Sequence, residues 1–287
     1  MFYVGLTPAP TLSRVLRVAK LWANMDWVQF AICQVFAISA GLFIYFVVAA
    51  YYHFKYYEKR KDEYEQWKCQ TDRFLKEGQQ KDAIIRSSVN LVIGGFNTGL
   101  IVYAISQGLE TPIYFEVSAY GWAYTIFSTV ALFVLMDAGA YYAHRMFHFR
   151  FFYRRYHKIH HKYVSTSPFV TAAVHPVEFL ILQFTSFLPM AFMPVHAVSA
   201  ALVLIYVFVF NIIDHSGVSL QSSIPWQGPS HYHDDHHRHF HCNFGQHLMI
   251  FDRMHGTLRR QNRTYGVEVF GGKGAGDDTS LPPFVEY

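Results

Sequence analysis

Between Trp27 and Tyr52 the chain carries no charged residue, and a run of that length is what a helix needs to cross the hydrocarbon core of a bilayer. A removable secretory leader would sit earlier, be shorter and end at a small-residue cleavage site. The run, preceded by Arg14, Arg17 and Lys20, therefore reads as a retained first membrane helix. His53 to Arg86 follows as a polar, amphipathic connector rich in Lys, Arg, Glu and Gln. A second uncharged run covers Ser87 to Leu109, where Gly94, Gly95 and Gly99 predict close packing against another helix. Glu110 to Tyr120 has no Lys or Arg although the connectors flanking its helices are basic, which places it on the lumenal side. A third helix, Gly121 to Ala143, crosses back and delivers His144 to the cytosolic face. Asp137 interrupts it, and a carboxylate at that depth requires a partner, either a metal-binding histidine or a polar group on a neighbouring helix. The apolar stretch from Phe179 to Ile213 is broken at Pro189 and Pro194. It predicts two shorter helices joined near Met193 to His196, which enter from the cytosolic side and return to it, so that Asn211 and His215 finish at the same end as His144. Ser216 to Tyr287 is polar, and its glycine-rich stretch Gly271 to Gly276 reads as flexible. The pattern predicts an all-α, polytopic membrane helical bundle of four to five passes, including a reentrant helix pair, with a cytosolic histidine-rich helical cap.

Composition agrees with a membrane setting: 52% of residues are hydrophobic, 18% aromatic and only 15% charged, with a mean hydropathy of +0.12. The net charge of +4 matters less than its distribution. Lys and Arg concentrate between Lys55 and Arg86 and between Arg145 and Lys162, as on a solvated face beside anionic lipid, and no nucleic-acid-binding motif accompanies them. Cys33, Cys69 and Cys242 are widely separated and form no Cys-x-x-Cys pair, which points to a reducing, cytosol-facing setting rather than a disulfide framework.

Sixteen of the 17 histidines fall between His144 and His255. Eight of them lie in three clusters: His144 and His148; His157, His160 and His161; His233, His236 and His237. Helical spacings of three and four aim the imidazoles of each cluster at one point. Eight imidazoles exceed what one zinc takes, and a nitrogen-rich set without nearby cysteine in the first two clusters argues for a redox-capable first-row metal, iron, and for two ions. His231, His239, His241, His247 and His255 read as supporting, surface or cap residues.

With these clusters the sequence resembles the fatty acid hydroxylase and sterol desaturase superfamily of membrane non-haem di-iron enzymes, over about Asp137 to Thr257. His144 and His148 match its first histidine box, His157, His160 and His161 the second, and His233, His236 and His237 the last. Asp214-His215-Ser216-Gly217 is similar to the segment that supplies a further ligand, and His175-Pro176 to a recurrent feature after the second box. Asn243-Phe244-Gly245 and Phe251-Asp252-Arg253 through Thr257 are similar to the usual downstream signature. Where the most histidine-rich members have another histidine four residues before His215, this chain has Asn211, which could ligate, act through water or leave one metal a ligand short. Asn211 and His175 stand as additional candidate ligands, and Asp137, Asp214 and Asp234 as carboxylates that orient imidazoles from behind.

The resemblance implies two iron ions, O2 as co-substrate, and electrons from NAD(P)H through a separate donor, a cytochrome b5 or a reductase. It implies a hydroxylase or desaturase acting on a lipid, a sterol above all, because His175-Pro176-x-Glu178 is similar to methylsterol oxidases and the overall build to sterol C-5 desaturases. A fatty-acid or other lipid hydroxylase is the alternative within the superfamily. On this reading residues 1–120 hold the N-terminal membrane helices and connector, 121–263 the catalytic domain and 264–287 a flexible tail, in the endoplasmic reticulum membrane with the site facing the cytosol. The sequon Asn262-Arg263-Thr264 would then stay unglycosylated. A histidine-rich membrane metal transporter or sensor is the rival from another class, but transporters place ligands at mid-membrane in broken helices rather than in boxes at one rim.

Overall fold

The computed structural model describes residues 25–283; Arg14, Arg17 and Lys20 and the last four residues lie outside the described residues. Helix α1, Trp27–Tyr52, starts where the Asp26 carboxylate accepts from the backbone N–H of Val28 and Gln29, both at 3.0 Å. It runs on into a π-helical turn, His53–Glu58. Helix α2, Gln79–Ser106, begins eight residues before its apolar run, because its polar first turns are also helical and Asp82 pairs with Arg86 at 3.0 Å one turn on. The two helices pack as the glycines predict: a Cβ on Gly95 would lie 2.7 Å from the Cα of Ile38, and one on Gly99 would lie 2.6 Å from the Gln34 side chain.

Helix α3, Gly121–Phe147, carries His144 in its last turn and is capped by His148. Helix α4, Pro176–Phe187, takes Pro176 in its first turn, where no N–H is needed, and passes into a 3-10 turn at Leu188–Ala191. Pro194 then ends the descent, and helix α5, Ala197–Asp214, returns. Among the described residues, four helices (α1, α2, α3 and α5) are long and apolar enough to cross a membrane, and α4 with its 3-10 extension is a shorter apolar one. The tip of the α4–α5 pair reaches the connector between α2 and α3: strand β1, Ile113–Tyr114, pairs in parallel with strand β2, Val195–His196. Leu132, Met136, Met190, Val195, Ala200 and Val203 fill the space between α3 and this pair. Large side chains facing away, such as Trp122, Phe127 and Phe36, are exposed, as on helices that face lipid.

Beyond the opposite end of the helices lies the cap, built from 148–175 and 216–262 around helix α6, Ser230–His239. The connector after α1 is part of it. Lys68 bridges to Val218, and its buried ammonium donates to Ser165 Oγ at 2.9 Å. Tyr57 donates to the Ser216 carbonyl at 2.7 Å. Among the described residues, the connector after α1 therefore packs directly against the later segments of the cap. Part of the segment after it is paired. Strand β3, Arg263–Thr264, pairs antiparallel with β4, Ala275–Asp277, and Gly272 lies so close to Phe244 and Thr257 that a Cβ would come within 2.6 Å of the Phe244 ring. Gly272 thus permits a close approach, and Gly271, Gly272, Gly274 and Gly276 all take positive φ.

Candidate metal centre

Nine buried histidines converge where α3, α5 and α6 meet. Their nitrogens fall into two groups in which one atom per residue lies within 4.8 Å of the others: His144, His148, His157, His161 and His236; and His160, His215, His233 and His237. Neighbours in sequence part company here. His160 and His161 enter different groups, as do His236 and His237. The three predicted clusters thus do not form three sites. They interleave into two, completed by His215 at the C-terminal cap of α5.

Hydrogen bonds at the far side of several rings decide which nitrogen carries the proton. His144 Nδ1 donates to the Phe244 carbonyl at 2.8 Å, and His157 Nδ1 to the Glu178 carboxylate. Both Nε2 atoms are therefore bare lone pairs, yet they face each other at 3.2 Å. Two acceptors at that distance repel unless something electropositive binds both, and two nitrogens each about 2.1 Å from one metal ion at right angles sit about 3 Å apart. His215 repeats the arrangement: Nδ1 donates to the Asn211 carbonyl at 2.7 Å, and Nε2 points at His160 Nε2 and His233 Nε2, 3.2 and 2.9 Å away. His236 Nδ1 donates to the Cys242 carbonyl at 2.6 Å, which leaves a buried Nε2 without a hydrogen bond, and neither nitrogen of His237 has one. Unpaired buried nitrogens are costly, and so many in one place fit a metal-binding centre.

Burial first, and the neighbouring imidazoles second, hold His148, His161, His233, His236 and His237 well below the ordinary histidine range. Burial pushes His157 to about 3, and His215, whose bond to the Asn211 carbonyl opposes the shift, to about 4. All are neutral at physiological pH, the form that binds metal.

The remaining predicted residues take other places. His175 caps α4, its Nδ1 accepting from Val177 N at 3.1 Å, outside both groups. Asn211 lies beside the centre, but its amide oxygen accepts from Thr171 Oγ1 at 2.5 Å and its amide nitrogen donates to Gln246 at 2.8 Å. Asp137 accepts from the backbone of His247 and Leu248 at 3.0 and 3.1 Å, so it anchors a loop rather than an imidazole of the centre. Asp214 accepts from Gln227 at 3.2 Å, and Asp234 from Thr166 at 3.2 Å in a buried setting that pushes its carboxyl up to about 6. The carboxylate that does hold a histidine of the centre is Glu178. Sequence reading saw it only as part of a motif, because its partner His157 is 21 residues away. Asp252 has a comparable role at one remove: it accepts from Phe244 N, Gly245 N and Thr257 Oγ1 and so fixes the loop whose carbonyl holds His144.

A cavity of about 100 Å³ runs from these histidines into the helices. His144, His157, His160, His215 and His233 close its inner end, and Met136, Leu182, Val174 and Val207 are among its apolar walls. Such walls suit a hydrocarbon ligand.

Residues 129–257 match the fatty acid hydroxylase family. A Delta(7)-sterol 5(6)-desaturase of Gibberella zeae is 30% identical over 235 residues, covering 76% of this chain and 60% of that protein. Another, of Schizosaccharomyces pombe, is 29% identical over 153 residues, 53% of this chain and 51% of the relative. The lathosterol oxidase of Mus musculus is 31% identical over 148 residues, 51% of this chain and 50% of its own. The chain thus spans about half the length of the curated relatives it matches. No solved structure matches.

Proposed function

We propose that this chain, a membrane protein with a fatty acid hydroxylase segment over residues 129–257, is an oxygen-dependent sterol oxidoreductase that introduces a ring double bond, as the names of its relatives suggest for them. The observation that carries the reading is the pair of bare Nε2 atoms of His144 and His157, 3.2 Å apart at the inner end of an apolar cavity. The five-histidine group would hold one iron and the four-histidine group the other. Bound there, such a pair supplies the redox capacity to remove hydrogen from an unactivated carbon. The sterol gives up two hydrogens, a separate donor of the cytochrome b5 or reductase type gives two electrons taken up with two protons, and O2 leaves as two waters.

The protein's own share is positional. The Phe244 and Cys242 carbonyls and Glu178 keep imidazole nitrogens unprotonated and aimed inward, and the apolar walls exclude water from the substrate. The basic stretches flanking the helices favour a cytosolic cap, as in the endoplasmic reticulum membrane.

The test is metal analysis and turnover of the full chain in lipid nanodiscs. Two iron ions per chain are expected, with conversion of a Δ7-sterol to its 5,6-unsaturated product only when O2 and reductant are both present. His148→Ala and His160→Ala, one from each group, should each reduce turnover to background while the protein still inserts. Absence of bound metal, or an unchanged sterol with oxygen and reductant supplied, overturns the reading.

A further inference from the structure

His241 belongs to neither histidine group, yet it is fully buried against one of them. We propose that His241 is a positioning residue for His148, setting which nitrogen of that ring carries the proton and tying the C-terminal segment to the metal centre. The proposal rests on reading the two groups as metal sites.

The chain of donors runs from the outside inward. His241 Nε2 donates to the Val267 carbonyl at 2.8 Å, and because a carbonyl only accepts, the proton of the neutral ring sits on Nε2. His241 Nδ1 is then a bare acceptor, and His148 Nδ1 lies 2.9 Å from it and must donate. That leaves His148 Nε2 unprotonated and turned toward His161 Nε2, 3.3 Å away inside the five-histidine group. The Val267 carbonyl thereby decides the tautomer of two successive imidazoles.

The surroundings hold the His241 ring in that orientation. Phe240 adopts a positive φ of 67°, unusual for a bulky residue, and turns the chain back after α6 so that His241 enters the cap. The rings of Phe270 and Tyr153 lie 4.4 and 4.8 Å from the imidazole, centroid to centroid. His144, His157 and His236 rest their outer nitrogens on oxygen acceptors. His148 rests instead on a second imidazole, whose orientation is set by residues 267 and 270, beyond the histidine-rich region.

The experiment measures metal retention of the full chain against a graded chelator for wild type, His241→Asn and His241→Phe. The Asn amide oxygen stands where His241 Nδ1 stood and can accept from His148, whereas Phe fills the space without an acceptor. The Phe variant should lose affinity at one of two metals by about ten- to a hundredfold while Asn stays near wild type, with metal-free melting temperatures that match. Should Phe fail to fold, His241→Leu serves as the second acceptor-free variant. Wild-type affinity in the acceptor-free variant overturns the proposal, as does an equal loss in Asn and Phe, which would mark a packing role. A wild-type chain that binds no metal overturns the reading of the groups themselves, and this role with it.

Discussion

Glu178 lies in the first turn of α4, fully buried, and accepts a hydrogen bond from His157 Nδ1. Replacing it by Leu leaves that N–H without a partner, whereas Gln keeps an oxygen acceptor in the same place. The Leu variant is expected to retain metal about 10- to 100-fold more weakly in chelator competition and the Gln variant less so; equal retention by Leu and wild type would remove Glu178 from the site. Gly245 shows the same dependence in steric form. A Cβ there would sit 2.5 Å from the Tyr232 hydroxyl and 2.9 Å from the Leu248 carbonyl, in the loop that carries the Phe244 carbonyl. Gly245→Ala should lower thermal stability by about 1–3 kcal/mol, read from the melting transition. The histidines were legible in the sequence because spacings of three and four are local and survive without a fold. Glu178 and His241 were not, since their partners His157 and His148 are 21 and 93 residues away and only the tertiary structure joins them.

Among the elements, the apolar runs located the membrane helices because bilayer thickness sets a length that composition must meet. The start of α2 was less legible: its charged first turns look like a connector, and the Asp82–Arg86 pair that supports them as helix is a weak, local signal. Glycine in sequence marks permissiveness of either kind, flexibility or close approach. Around Gly272 the permitted feature is a close approach to Phe244 and Thr257. The α1–α2 contact gives a direct test of the same use. Gly95→Ala drives a Cβ to 2.7 Å from the backbone of Ile38 and should cost about 1–3 kcal/mol, seen as earlier unfolding in detergent. Gly41→Ala, on α1 with nothing within 4 Å, serves as the neutral control.

For the molecule as a whole, the buried imidazoles make stability depend on pH in one direction. His157 and His215 fall from the ordinary 6.5 to about 3 and about 4 in the fold. Below pH 6.5 the unfolded chain therefore binds protons that the folded one refuses. Stability is full above about pH 6.5 and falls as pH drops toward 4, by up to about 1.4 kcal/mol per pH unit for each such histidine. Denaturant titration of the metal-free protein at pH 7.5, 6 and 5 should show this decline, and a flat profile would contradict the burial described. The interleaving of the two groups has a consequence for how they fill. Because His160 and His161, like His236 and His237, are split between them, any turn of either short segment that suits one ion also moves a ligand of the other. The two ions should therefore load cooperatively: a titration of metal-free protein should pass from empty to doubly occupied without a plateau at one ion per chain.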